Sequence, residues 1–255
     1  MEASDTSETD MRTGIVPEAV GTGADGTEVE ETGVISDISL PDCLDRVDGP
    51  LPYDSKHLRR IAGGLMDEAA AVARPMAAWK LTLIEKNPGR KNQVKIGPVT
   101  LDNPILTDNL GDLGRVFPFL ATEGPELAAW AESLPAKERT AAFTIRYLAL
   151  KEAERRLEEK LTAMFGVLRL GAMSPGVLPA WPLAGQKDLF ALLDPIPRTL
   201  GVSLRGDSCW MAPDVSSSGL YFETEIGFHN CKLCPLERCP LRRFERQKPG
   251  RGGVV

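Results

Sequence analysis

Apolar residues recur every three or four positions between Lys137 and Met164, which is the longest regular pattern in the chain. This spacing places them in one stripe along a helix, and we expect that stripe to pack inward. Glu152 and Arg156 lie four residues apart on another face, where an i,i+4 ion pair is expected. Shorter patterns predict three more helices: residues 55–72, 122–131 and 185–193.

Short extended runs separated by turn residues predict strands elsewhere. The run QVKIGPVTL, between Pro88 and Pro104, predicts at least one strand. The runs LGVSL and SCWMA, joined across residues 205–207, have the spacing of a β-hairpin, and LYFETEI predicts a further strand. The proline-rich loop SPGVLPAWPLAGQ precedes the hairpin, and its prolines make it rigid enough to present backbone groups.

Charge divides the chain into an acidic leader and a mildly basic body. Residues 1–48 contain 13 Asp or Glu against Arg12 and Arg46, with few large apolar side chains. Such a segment buries too little apolar surface to offset the entropy of ordering. We therefore predict a disordered acidic tail over 1–48, a folded domain over 49–227, and a C-terminal cysteine cluster with a basic tail over 228–255.

The same composition excludes several partners and compartments. No apolar run approaches the ~18 residues of a membrane span. Residues 1–30 contain a single Arg and no apolar signal-peptide core. The body has no Lys/Arg run of the kind that binds nucleic acid. We expect a cytoplasmic protein that binds neither membrane nor nucleic acid.

The chain lacks the residues of the common hydrolytic sites. Its only histidines are His57 and His229, so neither a His-based triad near a serine nucleophile nor a three-His zinc site is available. It also contains no Walker loop. Hydrolysis and phosphoryl transfer are therefore poor hypotheses.

Three cysteines form the strongest local chemical motif. Cys231, Cys234 and Cys239 make a C-x2-C-x4-C array that can place three thiolates around one metal ion or cluster. Without a secretory signal, metal binding is favoured over a disulfide framework, and reduced structural thiols are the main alternative. The candidate fourth ligands are His229, Cys209, Cys43 and an outside molecule.

Several motifs occur in an order typical of one family. These are Ser174-Pro175-Gly176, then a Trp-Pro-Leu run at 181–183, and finally Ser218-Gly219 followed by Tyr221 and Phe222. Over roughly residues 50–243 the chain resembles the activation domain of cobalamin-dependent methionine synthase, and particularly its stand-alone relatives. The resemblance implies an α+β fold with a twisted, mainly antiparallel sheet and flanking helices.

The resemblance also implies a function. Members of the family bind S-adenosylmethionine beside a corrinoid whose cobalt has been oxidised from Co(I) to inactive Co(II). One electron and a methyl group from the sulfonium then restore methylcobalamin. The implied partners are a corrinoid protein or methionine synthase, which carries the cobalamin, and a reductase or ferredoxin-type electron donor. The chain would be an accessory component of a cobalamin-dependent methyltransferase system without a catalytic side chain, since the corrinoid supplies the nucleophile.

Family positions assign a ligand site, with two departures. The family has an Arg three residues before the Pro-Gly pair and a Tyr directly after it, whereas this chain has Ala172 and Val177. These departures favour an alternative function, a metal or iron-sulfur adaptor that serves a corrinoid methyltransferase without using S-adenosylmethionine. The predicted ligand-binding residues are Glu152, Ser174, Pro175, Gly176, Ser218, Gly219 and Tyr221.

The cysteine array also occurs in the stand-alone relatives. Because the implied reaction needs an electron and zinc has no redox states, a [4Fe-4S] cluster is favoured over zinc. Cys209 is the preferred fourth ligand, since it lies on a predicted strand near the array. Iron and zinc analysis of anaerobically purified protein distinguishes the two metals. The predicted ligand set is Cys209, Cys231, Cys234 and Cys239.

Overall fold

The computed structural model describes residues 18–19, 31–40, 56–86, 92–178, 180–225 and 237. In this part of the chain one sheet of nine strands carries helices on both faces, and two further strands form a separate hairpin. The strands are β1 (Glu18–Ala19), β2 (Glu31–Ile35), β3 (Met76–Lys80), β4 (Thr82–Lys86), β5 (Gln93–Ile96), β6 (Val99–Asp102), β7 (Arg115–Thr122), β8 (Leu170–Met173), β9 (Ser203–Arg205), β10 (Trp210–Ala212) and β11 (Ser216–Glu223).

Strand β7 is the centre of the sheet. It pairs with β3 and β4 along one edge and with β11 along the other, and β8 pairs with the far edge of β11. Strand β2 extends the sheet from β3, and β5 and β6 extend it from β4. Every pairing between the described strands is antiparallel, so the predicted α+β class with a mainly antiparallel sheet is confirmed.

Two sets of helices cover the two faces of the sheet. Phe117 and Phe119 of β7 pack with one set, whereas Val116 and Leu120 pack with the other, as the alternation of side chains along a strand requires. The first set is α1 (Lys56–Val72), α3 (Pro125–Ser133) and α4 (Ala136–Phe165), and the second is α2 (Pro104–Leu110), α5 (Gln186–Leu193) and α6 (Ile196–Thr199). No described helix has the length and apolar character to cross a membrane.

The long helix is confirmed, and the helix predicted before it begins later than expected. α4 spans 30 residues and buries Ile145, Leu157 and Leu161. The sequence predicted helix from residue 122, but Thr122 ends β7 and α3 begins at Pro125. Gly124, with φ 92°, makes the turn between strand and helix, a conformation that glycine adopts without strain.

The amino-terminal segment differs from the predicted tail. Residues 31–40 belong to the folded body, because β2 pairs with β3 and the side chains of Ile35, Ile38 and Leu40 are buried. Gly33 lies over Trp79, and a Cβ there would come within 2.0 Å of the indole ring. The acidic composition of residues 1–48 conceals this short apolar run. The rest of the predicted tail, except β1, lies outside the described residues.

Candidate functional site

A cleft lies beside one end of β11. Strand β8 pairs only with residues 220–223 of β11, so among the described strands Ser216–Gly219 have β7 on one side and no strand on the other. The loop that follows β8 lines this gap. The cleft has a volume of about 490 Å³. It is lined by Glu154, Ser174, Pro175, Gly176, Val177, Leu183, Gln186, Cys209, Trp210, Met211, Asp214, Ser216, Ser217 and Ser218.

The loop after β8 is held by its own backbone. The Gly176 N–H donates to the Trp181 carbonyl at 2.7 Å, and Trp181 is buried. Gly176 has φ 82°, and a Cβ at this position would lie 2.9 Å from Cδ1 of Leu183. Both the backbone angle and the contact favour glycine, so the loop presents a fixed backbone to the cleft.

Three consecutive serines form another wall. The buried Ser218 hydroxyl donates to Oε1 of Gln186 at 2.7 Å, and the Ser216 hydroxyl lies 2.9 Å from Oγ1 of Thr122. The Ser217 Oγ is buried and has no hydrogen-bond partner in the described part of the chain. Because a buried hydroxyl without a partner is costly, Ser217 is a candidate to bond a ligand in the cleft.

Gly219 allows the two strands and the loop to meet. A Cβ on Gly219 would lie 2.3 Å from the Met173 carbonyl oxygen and 2.7 Å from the Ser174 Oγ. Distances under about 3 Å are below van der Waals contact. Only glycine at this position lets the end of β8 lie so close to β11.

Two acidic side chains line the cleft. Nζ of Lys151 lies 2.5 Å from Oε2 of Glu154, and Nη2 of Arg146 lies 2.5 Å from Oδ1 of Asp214. Burial acts to raise the pKa of Asp214, but the hydrogen bond and charge of Arg146 outweigh it, and the pKa is lowered. Asp214 is therefore a carboxylate at neutral pH.

Behind Asp214, the same Arg146 binds a second acid. Its Nε and Nη2 donate to the two carboxylate oxygens of Glu123 at 2.6 and 2.5 Å. The Glu123 side chain is fully buried. Burial raises the pKa of Glu123 to about 7, although the hydrogen bond and charge of Arg146 partly oppose the rise.

The structure brings some of the predicted ligand-binding residues together. Ser174, Pro175, Gly176 and Ser218 line the cleft, and Gly219 lies directly behind Ser174. All of them come from the loop after β8 or from the part of β11 that β8 does not pair with, Ser216–Gly219. The predicted loop and strand therefore meet at one place.

Glu152 and Tyr221 do not line the cleft. Glu152 is buried and accepts hydrogen bonds from Arg155 and Arg156, so its predicted pair with Arg156 forms in a buried position. The Tyr221 ring stacks on Phe119 with centroids 4.1 Å apart, and its hydroxyl donates to Oε1 of Glu158 at 2.9 Å. On α4 the acid that lines the cleft is Glu154, two residues after Glu152.

Sequence reasoning missed other residues of the cleft. Asp214, Gln186 and Trp210 line it, and Trp210 is 63% exposed. Asp214 stands between Pro213 and the serines of β11, so its position in a turn before the predicted strand was the available indication. Its contact with Arg146 joins residues 68 positions apart and has no local sequence pattern.

The predicted cysteine site is not tested by the described residues. Cys209 is buried, lines the cleft, and has its Sγ 3.5 Å from the Asp207 carbonyl oxygen. Cys231, Cys234 and Cys239 lie outside the described residues, as do His229 and Cys43. Within residues that are described, no group of three or more His, Cys, Asp or Glu is arranged to hold a metal. The four-cysteine site therefore stays a prediction.

Comparison with known proteins shows the fold. No protein-family model and no curated protein matches the chain. Among solved structures, it is similar to the crystal structure of the MetH reactivation domain bound to AdoHcy, with a TM-score of 0.55 and 15% sequence identity. The similarity covers 75% of this chain and 78% of that one. The two chains share a fold.

Proposed function

We propose that this chain reactivates a corrinoid protein, such as methionine synthase, by presenting S-adenosylmethionine as the methyl donor. The observation that carries the proposal is the cleft where the loop Ser174–Val177 meets residues 216–218 of β11. The sequence motifs on both walls are those that resemble the activation-domain family. A reactivation domain of the same fold has been solved with AdoHcy, the product of methyl transfer.

The size and chemistry of the cleft suit this ligand. Its volume of about 490 Å³ lies within the range of small-molecule sites. The rigid loop offers backbone groups, and the Ser217 Oγ offers an unpartnered hydroxyl. Asp214 adds a carboxylate to the cleft, and the ligand carries both a sulfonium and an ammonium.

The role of the protein in this reaction is to orient its partners. The corrinoid of the partner protein, once reduced from Co(II) to Co(I) by one electron, takes the methyl group and leaves S-adenosylhomocysteine. This chain would bind the donor in a fixed pose and limit access of water, and such positioning lowers the entropy cost of the transfer. No acid or base from this chain is required, since no proton moves in the transfer.

Calorimetric titration with S-adenosylmethionine tests the proposal. We expect saturable binding to the full chain, and a rise in free energy of unfolding of about 2.7 kcal/mol at about 100 times Kd. Gly176→Ala is expected to weaken binding at least tenfold, because its Cβ strains the loop at φ 82° and contacts Leu183. Gly64→Ala is the matched control, since nothing lies within 4 Å of that Cβ.

A metal or iron-sulfur adaptor that does not use S-adenosylmethionine is the second candidate. Val177 favours it, because an apolar and 37% exposed side chain lines the cleft where the family has a Tyr. If millimolar S-adenosylmethionine gives no heat of binding and no thermal stabilisation, the first proposal is contradicted and the adaptor is favoured.

A further inference from the structure

A line of three charged side chains runs from the cleft into the interior. Asp214 lines the cleft with a side chain that is 55% exposed, Arg146 is 11% exposed, and Glu123 is fully buried. Nη2 of Arg146 lies 2.5 Å from both Oδ1 of Asp214 and Oε1 of Glu123. One guanidinium is therefore shared by two carboxylates.

When Glu123 is ionised, the sharing of Arg146 leaves one net negative charge on the three side chains. Glu123 accepts two hydrogen bonds from Arg146, through both carboxylate oxygens, whereas Asp214 accepts one. The guanidinium charge is thus already balanced by the buried Glu123 when that acid is ionised. An ionised carboxylate has about four acceptor sites, so Asp214 keeps the capacity to bind a donor from a ligand.

The other charged groups near the cleft do not cancel this charge. Glu154 is paired with Lys151, which makes that pair neutral. Arg205 of β9 also lowers the pKa of Asp214, but its side chain is exposed, and water and salt screen an exposed guanidinium more than a buried one. An independent feature of the same cleft points to a ligand, namely the buried Ser217 Oγ without a partner.

We propose that Asp214 selects a ligand that carries a positive charge, and that Arg146, itself held by Glu123, positions the Asp214 carboxylate. This inference rests on the proposed function and adds to it the chemical feature by which the site recognises its donor. Asp214 is the residue that touches the ligand, and Arg146 is a positioning residue. A neutral nucleoside would not benefit from this interaction.

Two ligands of different charge test the inference on the full chain by calorimetry at about pH 8, above the Glu123 pKa of about 7. S-adenosylmethionine carries a sulfonium and an ammonium, whereas 5′-methylthioadenosine is a neutral nucleoside thioether without the amino acid. We expect Asp214→Asn to lower the affinity for S-adenosylmethionine about tenfold, which is the cost of losing one charged hydrogen bond. The affinity for 5′-methylthioadenosine should change less than twofold. Asp108→Asn, the same change at an exposed site on α2, is expected to leave both affinities unchanged.

The role of Arg146 is tested by combining variants. Arg146→Gln is expected to lower the affinity for S-adenosylmethionine but not that for 5′-methylthioadenosine. The double variant Arg146→Gln/Asp214→Asn should bind S-adenosylmethionine no more weakly than Asp214→Asn alone. Additive losses in the double variant would overturn the positioning role. Melting temperatures show whether each variant is folded. If Arg146→Gln does not fold, Asp214→Asn alone tests charge selection.

The outcomes separate this inference from the function on which it rests. If wild-type protein binds neither ligand, the proposed function fails and the inference fails with it. Suppose that wild-type protein binds S-adenosylmethionine, but Asp214→Asn lowers the affinity for both ligands equally or changes neither affinity. The inference is then overturned and the proposed function stands.

Discussion

Replacing Gly219 with alanine is expected to lower the free energy of unfolding by about 3 kcal/mol, at the upper end of the usual cost of overpacking. The new Cβ would lie 2.3 Å from the Met173 carbonyl oxygen and 3.0 Å from Cε1 of Phe119. The carbonyl belongs to β8, so it cannot move away without disturbing the pairing of β8 with β11. The same displacement would move Ser174 and the loop that lines the cleft, and ligand affinity should fall as well.

Urea denaturation of Gly219→Ala and Gly64→Ala provides the comparison. Gly64 lies inside helix α1 with open space around its Cβ, so alanine there is expected to stabilise the protein by about 1 kcal/mol. The two substitutions add the same methyl group and should have opposite effects. Equal midpoints for Gly219→Ala and wild type would show that β8 and β11 do not approach as closely as described.

The stability of the wild-type protein is expected to fall, relative to Glu123→Gln, as the pH rises from about 4.5 to about 7. Burial raises the pKa of Glu123 from 4.5 to about 7 in the folded chain, against the opposing effect of Arg146. Folding therefore favours the protonated acid. The stabilisation from this group is fully present below the unfolded pKa and is lost as the pH rises through the folded pKa.

The expected loss is about 3 kcal/mol, because each unit of pKa shift corresponds to about 1.4 kcal/mol. Glutamine has no titrating proton, so Glu123→Gln serves as a reference across the whole range. The pKa of Asp214 is lowered, so this group changes the stability only below about pH 4, outside this window. Denaturant midpoints of the two proteins measured from pH 4.5 to 8 check the prediction. A constant difference between them would mean that Glu123 does not change its ionisation here.

Long periodic segments and ordered motifs could be predicted from the sequence. The apolar stripe of α4 recurs over enough turns to define one buried face, and the hairpin β9–β10 has a short, recognisable connection. The order of motifs on both sides of the cleft identified the fold class, which the shared fold with a reactivation domain supports.

Short apolar runs could not be assigned in the same way. The segment RVFPFLAT is buried on both faces of the sheet, so it shows no alternation, and Pro118 argues against a central strand. In the structure Pro118 nevertheless belongs to β7, the central strand, and lies opposite Leu220 of β11. β2 was missed because its few apolar residues lie in a segment dominated by acids.

The site was predictable only as far as its residues are local in sequence. The loop Ser174–Gly176 and Ser218 belong to compact motifs, and the structure places them at one cleft. Glu152 and Glu154 are two residues apart on one helix and point about 160° apart, so which one reaches the cleft depends on how α4 packs. The contact of Asp214 with Arg146 depends on the tertiary fold in the same way.

Methyl transfer to a corrinoid tests the proposed function most directly. A methionine synthase without its own activation domain, held as cob(II)alamin, is mixed with this chain, S-adenosylmethionine and a one-electron reductant, and its visible spectrum is followed. We expect methylcobalamin and an equal amount of S-adenosylhomocysteine when both the chain and S-adenosylmethionine are present, with slower formation by Gly176→Ala. Methylcobalamin that forms at the same rate without the chain would contradict the proposed function.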